Sequence, residues 1–163
     1  KSENKDPKKC YTPATSDEAE KIMSEYAGDN LLIVDCGGFD SDSNRVALFM
    51  ADIIITPVAP SQVEIFGLQN FTKILKEASE KSGRKIISNV IINNADGRSR
   101  TLIEDVQNYV SGEEYLDLIS VVVQCRADFK KAYGAGLSVK ELNSKSKASA
   151  EIQALADEIK TLF

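Results

Sequence analysis

Histidine and tryptophan are absent from the 163 residues. Without histidine, imidazole acid–base catalysis and most zinc sites are excluded. Cysteine is scarce: Cys10, Cys36 and Cys125 are odd in number, far apart and form no CxxC pair. That pattern argues for reduced thiols rather than a disulfide framework or a metal site. No apolar run approaches the roughly 18 residues needed to cross a bilayer, and Lys1 opens no signal-peptide pattern. The expectation is a cytoplasmic protein with no membrane association. Nor is there an excess of positive charge, since the net charge is −5; a local basic patch survives that average.

What is present is ordinary in bulk: 42% hydrophobic and 28% charged residues, enough for one domain with a normal core. Residues 1–14 read as a polar, lysine-rich arm and residues 15–163 as a single α/β domain. Thr15-Ser16-Asp17-Glu18 is a helix start with acids at the positive end of the dipole, and Ala19, Ile22, Met23 and Tyr26 continue it as an apolar stripe until Gly28-Asp29. Leu31-Leu32-Ile33-Val34 suits a strand buried on both faces, ending at Asp35-Cys36-Gly37-Gly38. Asp40 to Asn44 is a polar loop, and Arg45 to Met50 a short helix. Ile53 to Thr56 is a second strand, stopped by Pro57-Val58-Ala59-Pro60-Ser61, because proline cannot donate to a ladder.

Ser61 is placed to cap a helix from Gln62 to about Lys81, closed by Gly83. A third strand lies between Lys85 and Asn93, followed by the turn Asn93-Asn94-Ala95-Asp96-Gly97. The pattern then predicts a helix from Ser99 to about Val110, a strand from Leu118 to Val123 and a short helix through Tyr133, broken by Gly134 and Gly136. A terminal helix runs from about Lys145 to Leu162. Alternating strands and helices predict a mostly parallel sheet with helices on both faces. In such sheets, ligands meet the carboxyl ends of strands, where Asp35 and the Asn93-Asn94 turn stand.

Three stretches taken together resemble one family. Leu31 to Gly38, Arg45 to Ser61 (RVALFMADIIITPVAPS) and Arg126 to Leu142 (RADFKKAYGAGLSVKEL) are similar in order and spacing to ParA/Soj-type partition ATPases of the MinD-like P-loop class. The resemblance covers about Asp29 to Phe163, the carboxyl-terminal two-thirds of such a protein. It implies a P-loop NTPase-like sheet, with ATP and magnesium as ligands and Asp35 as the acid that touches the magnesium ion's water shell. It implies that Gly37 and Gly38 begin a loop sensing the γ-phosphate, that Asn93 or Asn94 sits near the adenine, and that Gln124 to Asp128 wall the base on its other side. It further implies an ATP-dependent dimer, non-specific DNA contact through Arg98, Arg100 and Arg126, a ParB-like partner, and a place on the nucleoid in plasmid or chromosome segregation.

The family's signature does not appear. A phosphate loop surrounds phosphates with backbone N–H groups and neutralises them with lysine. The nine glycines are scattered, and Gly37-Gly38 has no Lys-Ser/Thr nearby. This chain alone is therefore expected neither to hold ATP tightly nor to hydrolyse it. It reads as the later part of a longer ATPase. The alternative is a non-catalytic relative that binds protein or DNA without nucleotide. A small-molecule reductase on a similar sheet is disfavoured by the lack of a GxGxxG fingerprint.

Overall fold

The computed structural model describes residues 11–26, 31–37 and 41–163. The chain divides into two compact units, Lys1–Ala51 and Asp52–Phe163, and each is described by itself. Residues 1–10 of the polar arm, the helix stop at Gly28-Asp29, and Gly38 and Asp40 lie outside the described residues.

In the first unit, α1 (Ser16–Glu25) starts as its sequence requires. The Thr15 hydroxyl accepts the Glu18 N–H at 3.2 Å, and the Glu18 carboxylate takes the Ala14 N–H at 2.9 Å. A second helix, α2 (Asp42–Met50), is capped by Ser41, whose hydroxyl accepts the Asn44 N–H at 3.2 Å. The two helices pack together and bury Ala19, Met23 and Ala47.

The expected central strand is not formed. Residues 31–37 make no ladder, and Leu31, Ile33 and Val34 are 75%, 82% and 44% exposed. A run of apolar residues suits a buried strand only when strands flank it. Among the described residues this segment has no strand neighbour, so its pattern is left unused.

The second unit holds a parallel sheet in the order β1-β2-β3, with β1 Ile54–Val58, β2 Ser88–Ile92 and β3 Leu116–Leu118. Register places Ile54 opposite Ser88 and Val58 opposite Ile92. Pro57 does not stop β1 but lies within it, opposite Ile91. Val58 faces β2, since its carbonyl accepts the Asn93 N–H at 2.8 Å. By alternation the Pro57 nitrogen faces away from β2, where no ladder donor is needed.

The predicted last strand is shorter and starts earlier. Ile119 and Val123 donate to the Val90 and Ile92 carbonyls, both at 2.9 Å, so four steps of one segment span two of its neighbour. The surplus residues interrupt the pairing, and the regular ladder ends at Leu118.

Helices cover this sheet. α3 (Gln62–Ser82) begins under the Ser61 hydroxyl, which accepts the Glu64 N–H at 3.3 Å, and ends at Gly83, whose φ of 69° favours glycine. Ser79, buried in its last turns, donates to the Leu75 carbonyl at 2.7 Å and accepts the Ile86 N–H at 2.9 Å, which fixes how the chain leaves the helix for β2. α4 (Arg100–Ser111) packs on β2 and β3. Leu68 and Leu75 of α3, Val106 and Val110 of α4, and Val90 and Ile92 of β2 are all buried. On the opposite face, Ile91, Ile119 and Val123 pack against Ile152, Leu155 and Ile159 of α7 (Lys147–Lys160). Two shorter helices, α5 (Ala127–Gly134) and α6 (Val139–Leu142), connect β3 to α7. The class is α/β, with a three-stranded parallel sheet.

Candidate functional site

The carboxyl edge of the sheet gathers most of the residues singled out from sequence. β1 and β2 are tied at this edge by the Asn93 N–H to Val58 carbonyl bond. Asn93 and Asn94 follow immediately, both exposed, and Asn94 takes φ 54°, a left-handed conformation that asparagine tolerates better than most residues. Ala95 forms an isolated parallel bridge to Gln124: its N–H donates to Val123 at 3.0 Å, and its carbonyl accepts from Cys125 at 2.8 Å. A Cβ on Gly97 would meet the Gln124 Oε1 at 3.2 Å, so the loops after β2 and β3 touch there.

The three arginines differ sharply. Arg98 folds back on Asp96: its backbone N–H and Nε reach one carboxylate oxygen at 3.0 and 3.1 Å, and its terminal nitrogen reaches the other at 2.7 Å. These bonds hold the Asp96 carboxyl down at about 2, while the Arg98 side chain stays 91% exposed. Arg100 is exposed in the first turn of α4. Arg126, just before α5, is instead held by Glu151, and the two side chains are only 28% and 17% exposed. The Glu151 carboxylate also takes the Gln124 N–H at 3.2 Å. Arg126 therefore locks the Gln124 loop to α7 as much as it presents charge.

Asp35 and Gly37 belong to the other unit. Asp35 is exposed, and the Gly37 carbonyl accepts the Asn44 side-chain amide at 2.8 Å. Partial burial, and then the Asp35 charge, push the Cys36 thiol above its ordinary range.

The donors on hand suit one end of a nucleotide and not the other. The exposed Asn93 and Asn94 amides offer both a donor and an acceptor to a base edge. A triphosphate needs free backbone N–H groups, and several of those in the edge loops are already bonded within the fold. Asn93 donates to Val58, Ala95 to Val123, Arg98 to Asp96, Ser99 to the Asp96 carbonyl at 2.9 Å, and Cys125 to Ala95. Among the described residues no three His, Cys, Asp or Glu side chains could hold a metal ion. Among the described residues no triphosphate or magnesium site is assembled, and no chemical step is assigned through one.

Sequence patterning gave no sign of one further feature. An open groove of about 370 Å³ between α3 and α4 is lined by Gln69, Thr72, Lys73, Tyr109 and Glu113. Burial and a hydrogen bond with Glu113 raise the Tyr109 hydroxyl's pKa, against an opposing bond from Thr72. No helix among the described residues is long and apolar enough to cross a membrane. No protein-family model matches the chain, and no curated protein matches it significantly.

Proposed function

We propose that the chain is a portion of a ParA/Soj-type partition ATPase. On this reading its sheet is the later part of a P-loop NTPase-like sheet, and the whole protein dimerises with ATP, grips DNA non-specifically on the nucleoid and answers to a ParB-like partner. The observation that carries the reading is the Ala51-to-Ser61 block. It folds as a parallel strand followed by a short loop with Pro60, whose Ser61 caps a 21-residue helix, and the strand's end is bonded to the exposed Asn93-Asn94 turn. This chain's share is then the base-facing turn and the arginine-bearing start of α4. Phosphate neutralisation and hydrolysis belong to a glycine–lysine loop that this sequence does not contain.

The test is equilibrium binding of fluorescent adenosine and guanosine nucleotides. Weak, adenine-preferring binding that falls about tenfold in an Asn93→Ala, Asn94→Ala variant is expected, from the loss of one or two base-edge hydrogen bonds. Equal binding of both bases, or indifference to both asparagines, overturns the assignment of the turn. The absence of a phosphate loop favours a second reading, a nucleotide-free binding module. That reading predicts duplex DNA retention without ATP, reduced in an Arg98→Ala, Arg100→Ala variant and steeply salt-dependent.

A further inference from the structure

A second surface stands apart from the strand-edge loops. Ala132 of α5, Val139 of α6 and Ala148 of α7 form one small buried cluster. Each has a lysine as its chain neighbour: Lys131, Lys140 and Lys147. All three helices that meet in this cluster therefore carry a lysine next to their buried residue. Between Arg126 and Lys147 the chain carries six cations and two carboxylates, in a protein of net charge −5.

Carboxylates inside the fold answer only part of this charge, Asp157 acting on Lys140 and Asp128 on Arg126. Glu151 already takes Arg126, the Glu141 carboxylate receives the Ser138 N–H at 2.9 Å, and Lys140 donates to the neutral Gln153 amide at 2.8 Å. None of the ion pairs among the described residues uses Lys130, Lys131, Lys145 or Lys147.

The same stretch of chain exposes apolar side chains. Tyr133 is 90% exposed, Leu137 43% and Leu142 37%. Phe129 and Ala132 turn inward on α5, which leaves Lys130 and Tyr133, three residues apart, adjacent on its outer row. Leu137 is held firmly. The Leu137 N–H reaches the Ala132 carbonyl and the Gly136 N–H reaches that of Tyr133, both at 3.0 Å, with Gly136 at φ 66°. This paired closure of the α5 terminus presents tyrosine and leucine with little ordering left to do on binding.

We propose that this three-helix face docks an acidic amphipathic segment of another protein. Lysines would meet its carboxylates, while Tyr133, Leu137 and Leu142 would seat its apolar side chains. A phosphate backbone would satisfy the lysines but leave the leucines idle. The one arginine of the stretch, whose fork suits phosphate best, is engaged by Glu151. The inference goes beyond the nucleotide reading and does not rest on it.

The test uses the whole chain and three labelled probes in anisotropy titrations: a peptide with leucines at helical spacing among glutamates, polyglutamate of equal charge, and single-stranded oligo(dT). The leucine–glutamate peptide should bind more tightly than polyglutamate. Tyr133→Ala should weaken it about tenfold, the size of one interfacial aromatic anchor, and leave polyglutamate unaffected. Lys130→Glu with Lys131→Glu should abolish binding of both acidic probes. These side chains are exposed, and unchanged circular dichroism and melting temperature would verify folding. Binding no tighter than polyglutamate, insensitivity to Tyr133→Ala, or no binding of any probe overturns the proposal. Tighter binding of oligo(dT), lost in the same variants, assigns the face to nucleic acid instead.

Discussion

At Glu158, burial alone would push the carboxyl up, yet its pKa lies below the ordinary 4.5. The Ser120 N–H at 2.6 Å, the Ser120 hydroxyl at 2.9 Å and the Val121 N–H at 3.1 Å outweigh that burial. A carboxyl held below its unfolded value adds stability above that value and loses it as pH falls through the folded one. Wild-type stability should therefore drop as pH falls below about 4.5. Glu158→Gln should be less stable at neutral pH and lose less on acidification, as urea melts at the two extremes would show. Helix caps act on the same scale. Ser61→Ala, which removes the acceptor for the Glu64 N–H, should cost about 1 kcal/mol of unfolding free energy. Leu75→Ala, at a side chain with no exposure, should cost ~2–5 kcal/mol in the same measurement.

Between elements, α7 does more than cover the sheet. Glu151 and Glu158 lie two turns apart and take the N–H groups of Gln124, Ser120 and Val121, which a further strand would otherwise have used. Side chains thus close the sheet beyond β3, a way of shielding an exposed edge. The Arg126–Glu151 pair extends this contact into the loop beside Asn94. A double-mutant cycle of Arg126→Ala and Glu151→Gln should show favourable coupling in urea unfolding, as expected for a charged hydrogen bond that ties a loop to a helix. A coupling near zero would mean that Arg126 is only a surface charge.

Over the whole molecule, the two units are unequal. Among the described residues, the buried apolar ones all lie in Asp52–Phe163 except Ala19, Met23 and Ala47. The same unit holds the whole described sheet. Residues 52–163 expressed alone should therefore unfold in one sigmoidal urea transition, with circular dichroism of mixed helix and strand. A gradual, non-cooperative loss of signal would show that this unit depends on residues before it.

Local punctuation can be read from residues close together in the chain. Ser61 and Gly83 bound α3, Thr15 and Glu18 start α1, and the helical spacing of Ile152, Leu155 and Ile159 marks the buried face of α7. These features depend on contacts within a few residues, so they survive whatever the rest of the chain does. Strands depend on neighbours that sequence order does not reveal. Leu31 to Val34 carries as strong an apolar run as any strand here and yet makes no ladder, while Pro57 sits inside β1 because that edge asks no hydrogen of it. The site shows the same division. The asparagine turn was visible as a turn, but the tertiary structure alone decided that Arg126 is engaged by Glu151 while Arg98 folds onto its own neighbour. Both partnerships depend on where a carboxylate lands in space, and for Arg126 that carboxylate lies 25 residues away along the chain.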